Sequence, residues 1–106
     1  MNSEPLPTAL VINFPHPILS TNVAELRTSL AEKFSANPDC SAVEVNLDGC
    51  PTIDSSGLNL LASLYRECIK REIPFKVTNP TKDIHRLLTF LKLNDRFGLP
   101  PLPTEP

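Results

Sequence analysis

Asp54-Ser55-Ser56-Gly57 is where this sequence places a carboxylate and two hydroxyls in consecutive positions. Such a group offers two kinds of chemistry: a serine can act as a covalent nucleophile, or the group can cap a helix and present a hydroxyl for recognition or modification. The first requires a base within hydrogen-bond reach. The chain has only two histidines, His16 and His85, far apart in sequence. His85 lies on the first turns of an amphipathic stretch beside Arg86, where both face solvent, and no glycine-flanked nucleophile elbow surrounds either serine. Asp48 and Asp54 are each explained by a strand end and a cap, so no acid/base pair of carboxylates emerges. Three scattered glycines cannot build a phosphate-cradling loop. Cys40, Cys50 and Cys68 form no C-x-x-C pair. A zinc site or disulfide framework is therefore not expected, and the thiols read as small buried apolar residues, Cys68 on a helix stripe. The expectation is a non-enzyme with no cofactor and no metal.

Recognition needs a scaffold, and the flanking residues supply one. Val43, Val45 and Leu47 alternate with Glu44, Asn46 and Asp48, the two-residue period of a strand with one apolar face. From Leu58 the period changes. Leu58, Leu61, Tyr65 and Cys68 recur at three and four residues, which predicts a helix from about Ser55 to Arg71. The carboxylate and hydroxyls then stand at a helix N-terminus, where N–H groups lack partners and the dipole favours negative charge. One cap is sufficient there. The surplus hydroxyl calls for another explanation.

The remaining elements follow the same logic. Residues 9–14 (ALVINF) predict a first strand, ended by Pro15 and Pro17. Val23, Leu26, Leu30 and Phe34 predict a first helix, with Asn22 and Glu25 spaced as a capping box and Pro38-Asp39 as its stop. Residues 73–77 (IPFKV) predict a third strand, and Asn79-Pro80 a helix start before Ile84, Leu87, Leu88 and Leu91. A short terminal element is expected over 96–99. The order β-α-β-α-β-α implies right-handed crossovers between parallel neighbours in a small sheet. Because the strand at Val43 alternates, helices should cover mainly one face.

With 106 residues there is room for one core, assigned to 9–99 between a loose tail at 1–8 and a proline-rich tail at 100–106. Ten basic and twelve acidic residues give a net charge of −2. There is thus no electrostatic drive toward nucleic acid or an anionic membrane. No basic leader or long apolar run is present, which reads as a cytoplasmic protein without membrane insertion. The PPLP run at Pro100 to Pro103 is a candidate polyproline II ligand, though such a tail is more often simply stiff and solvated.

VEVNLDGCPTIDSSGL, residues 43–58, resembles the core of the STAS domains, the anti-sigma factor antagonist family. There a strand ending in an acidic residue leads through a short turn to D-[ST]-[ST]-G-[LT] opening a helix. IPFKVTNPTKDIHRLLTFLKLNDRF, residues 73–97, is similar to the family's next strand, helix and closing L-x-x-x-F. The resemblance implies the STAS fold, a small mixed or parallel sheet with helices mainly on one face. It also implies phosphorylation of Ser56, with Ser55 as second choice, by a cognate anti-sigma serine kinase. Partner contact would then run through Asp54, Ser55, Ser56, Gly57, Leu58 and Asn59. Where the family has a hairpin with G-x-[LV]-D, this chain has Phe14 to Ser20, so a truncated first strand pair is expected.

Three functions compete. The leading one is a partner-switching, anti-sigma factor antagonist-like module that binds an anti-sigma factor or serine kinase and regulates transcription. The second is a cytoplasmic accessory subunit that docks on the ATPase of an ABC-type phospholipid transporter. The third is a sensor holding a nucleotide or phosphate at the helix start. A weak homodimer through an exposed sheet edge is left open.

Overall fold

Strand and helix alternate as the periodicity requires in the computed structural model, which describes residues 9–99: β1 Ala9–Asn13, α1 Val23–Ala36, β2 Ala42–Asn46, α2 Ser55–Arg71, β3 Phe75–Thr78 and α3 Lys82–Phe90. The two expected tails, 1–8 and 100–106 with its PPLP run, lie outside the described residues.

All three strands are parallel, in the order β1-β2-β3. In a parallel sheet whose spatial order follows the sequence, right-handed crossovers put successive helices on the same face. The side chains agree. Ile12, Val43, Val45, Phe75 and Val77 are buried, while Val11, Asn13 and Lys76 on the opposite face are exposed. That open face is stitched by polar side chains: the Thr78 hydroxyl donates to Glu44 Oε2 at 2.9 Å.

β2 stops at Asn46 because a turn follows. Gly49 takes φ 88°, a backbone state open to glycine, and the Cys50 N–H donates to the Leu47 carbonyl at 2.9 Å. α2 buries Gly57, Leu60, Leu61, Leu64 and Cys68, one face of a helix with Lys70 and Arg71 in its last turn, where cations suit the dipole. Burial pushes the Cys68 thiol up to about 11 and raises that of Cys50, as expected of thiols used as apolar filling.

Several element ends differ from the sequence expectation. Asn22 precedes α1 but makes no cap bond. Instead its Oδ1 accepts from Leu19 N at 2.9 Å and its Nδ2 donates to the Pro17 carbonyl at 2.8 Å, so it braces the preceding loop. Ile73 is not in β3, because its N–H closes the C-terminal turn of α2 on the Cys68 carbonyl at 3.0 Å. Asn79 does not cap α3: it sits at φ 55° and donates to Asn46, while Thr81 accepts from Ile84 N at 3.2 Å. Residues 96–99 form turns rather than a regular element. Even so, buried Phe97 accepts from Val77 N at 2.8 Å and covers the outer edge of β3.

Candidate functional site

The start of α2 is held by two devices that follow from residue type. Asp54 has extended backbone and accepts through Oδ1 from Gly57 N at 3.0 Å, the bond of an N-cap. Its Oδ2 accepts from Ser20 N at 2.9 Å, in the loop that leads into α1. The Gly57 N–H first, and the Ser20 N–H second, hold the Asp54 carboxyl below its ordinary value of 3.8. A charged carboxylate therefore faces the positive end of the helix, and no other acid lies in the first turn.

Gly57 is the second device. A Cβ built on it would lie 2.5 Å from the Ile18 carbonyl oxygen and 3.0 Å from Ile53 Cβ, so only glycine fits. That closeness comes from an isolated parallel bridge between Ile18 and Ile53, with Ile18 N donating to Thr52 O and Asp54 N to Ile18 O, both at 3.2 Å. Among the described residues no hairpin occupies 14–20. This segment crosses directly over the start of α2.

The expected site residues are thus brought together, and they divide by task. Asp54 and Gly57 hold the turn, while half-buried Leu58 packs against the core. Ser55 and Asn59 are exposed and Ser56 is half-buried. Among the described residues neither serine hydroxyl has a hydrogen-bond partner, so no nucleophile–base pair is formed. His16 contacts the Pro17 carbonyl through Nδ1 at 2.9 Å and stands edge-on to Phe14.

The sequence reading missed Ile18 and Ser20 as parts of this turn. It also missed a polar ladder across the carboxyl ends of the strands, in which Asn79 Nδ2 donates to Asn46 Oδ1 and Asn46 Nδ2 to Asn13 Oδ1, each at 3.0 Å. One asparagine at the end of each predicted strand was the available signal.

The family model of the STAS domain matches residues 1–105. The chain belongs to the STAS domain family. STAS domains occur in anti-sigma factor antagonists and sulfate transporters; they are generally non-catalytic and mediate protein–protein interactions. A solved structure, that of a sulfate transporter family protein from Wolinella succinogenes, superimposes on this STAS domain with a TM-score of 0.72 at 15% identity, covering 92% of this chain and 76% of that one. At that identity the likeness concerns the fold. No curated protein matches the chain. Among the described residues no helix is long and apolar enough to cross a membrane.

Proposed function

We propose that this STAS domain is a non-catalytic partner-switching module, anti-sigma factor antagonist-like, that acts in the cytoplasm and is controlled by phosphorylation of Ser56. The observation that carries the reading is the division of labour at the start of α2. Asp54 and Gly57 hold the turn, and the Ser56 hydroxyl has no structural partner among the described residues. Partner contact runs through Asp54, Ser55, Ser56, Gly57, Leu58 and Asn59, and the partner is an anti-sigma factor or serine kinase.

The chemistry suits a switch. A phosphate adds about −1.5 to −2 charges. Within the domain it meets the positive end of α2, which tolerates it, so the fold persists. Against an acidic partner surface the same charge costs several kcal/mol, and each ~1.4 kcal/mol is about tenfold in affinity. Incubation with the cognate kinase followed by mass spectrometry should place one phosphate on Ser56. Equal partner affinity for Ser56→Ala and Ser56→Asp would overturn the switch.

A second reading makes the same surface a dock for a transporter ATPase, with no phosphate required. Its support is a transport setting for the fold: the solved structure that shares it is that of a sulfate transporter family protein. Partner binding that needs Asn59 and Leu58 but ignores the charge at Ser56 would favour it.

A further inference from the structure

Away from the α2 start, the outer face of the same helix carries several cations and few acids to neutralise them. Tyr65, Arg66, Ile69, Lys70 and Arg96 border a shallow depression of about 650 Å³. Three of the five are cations, gathered on one side of a chain whose net charge is −2. They are weakly neutralised. The Lys70 side chain is 77% exposed and its ion pair with Glu67 is long, 3.9 Å, the other oxygen of Glu67 being taken by Arg71 at 2.9 Å. Arg66 reaches Ser63 Oγ at 3.5 Å, and Arg96 forms no ion pair among the described residues. Asp95 precedes Arg96 in sequence without pairing with it.

Among these cations Ile69 is 58% exposed, on a helix whose Leu60, Leu61, Leu64 and Cys68 are buried. The floor is rigid. Tyr65 packs on Phe75 and Phe97, with ring centroids 6.0 and 5.9 Å apart, and Phe97 fixes the segment that carries Arg96. Tyrosine and arginine on a fixed platform around an apolar centre are the residue types that concentrate binding energy at interfaces.

We infer that this depression is a second recognition surface, which takes an acidic segment of a partner protein by seating one apolar side chain on Ile69 and Tyr65 and its carboxylates on Arg66, Lys70 and Arg96. Charge complementarity selects the occupant. The patch is far smaller than the ~800 Å² per partner of a standard interface, so the occupant is a short segment held transiently. Ten residues of helix separate Ser56 from Arg66, about 15 Å along the axis. That exceeds the ~8 Å screening length at physiological salt, so this surface works regardless of charge at Ser56.

The test is selection of a random peptide library on the immobilised full chain, followed by fluorescence anisotropy of the enriched peptides. The expected peptides carry Asp or Glu around a single aliphatic or aromatic residue. They should lose about tenfold or more in affinity to the triple variant R66E/K70E/R96E and to Ile69→Ser, weaken as salt rises, and bind Ser56→Asp unchanged. Circular dichroism of each variant checks that it is folded. The inference is overturned if nothing is enriched, if the peptides lack acids, or if the triple variant binds them equally. It is also overturned if the patch instead serves a second copy of the chain, seen as self-association abolished by the triple variant, or phosphatidylserine vesicles bound in place of the peptides. Loss of peptide binding in Ser56→Asp would contradict the independence of the two surfaces while leaving the switch itself intact.

Discussion

The loop that leads into α1 lies against the start of α2, and an amide or carboxylate residue precedes each helix, yet the two are built for different ends. Asn22 and Asp54 both occupy the position before a helix. Asn22 turns backward, to Leu19 N and the Pro17 carbonyl, and stiffens its own loop. Asp54 turns forward to Gly57 N and sideways to Ser20 N, fastening α2 to that stiffened loop. The difference shows what the serines are relieved of. Because a carboxylate and a glycine hold the α2 start, the hydroxyls of Ser55 and Ser56 have no share in holding it.

Substitutions can break this contrast, beginning with the largest effect. Gly57→Ala forces a methyl to within 2.5 Å of the Ile18 carbonyl, so overpacking should cost about 1–3 kcal/mol in denaturant unfolding. Ala at Ser56 should show nothing comparable. Next is Asn22→Ala, which removes two loop bonds from a half-buried side chain and should cost about 1 kcal/mol, with amide exchange faster at Leu19. If Asn22→Ala leaves the loop as protected as before, the brace is not where the structure puts it.

A third effect is pH-dependent. The Asp54 carboxyl is depressed in the folded chain, so the stability it contributes is present above its ordinary value of 3.8 and is lost as pH falls through the lower folded value. Glu67, depressed chiefly by its bond from Arg71, drains in the same direction. The difference between wild type and Asp54→Asn isolates the cap: it should shrink as pH falls below about 3.8, and a constant difference would contradict the carboxylate's role. The smallest change is Ser56→Ala, expected within about 0.5 kcal/mol of wild type in thermal or chemical unfolding. A larger loss would give the hydroxyl a structural duty.

Much of this architecture is readable locally. The change from alternation at Val43, Val45 and Leu47 to helical spacing at Leu58 and Leu61 places the strand, the turn and α2, and residue type alone marks Asp54 as a cap. What is not readable depends on contacts distant in sequence. Asn22 and Asn79 look like caps because asparagine serves caps, loop braces and left-handed turns alike. The choice is made by Pro17 and Leu19 in one case and by Asn46 across the sheet in the other. The bond from Ser20 to Asp54 spans 34 residues and exists only because Ile18 pairs with Ile53. Likewise, spacing puts Arg66, Ile69 and Lys70 on one helix face, but Arg96 joins them only through the burial of Phe97.

The most direct test of the serine switch separates folding from binding in one pair of proteins: the unmodified domain and the same chain with phosphoserine incorporated at position 56. Each is unfolded in denaturant and titrated with the partner isolated by co-purification. The expected result is near-equal stability, with partner affinity reduced about a hundredfold or more in the phosphoserine form. Equal affinity at equal stability would contradict the claim that Ser56 is the switch, and a collapse in stability would contradict the claim that Asp54 and Gly57 alone hold the turn.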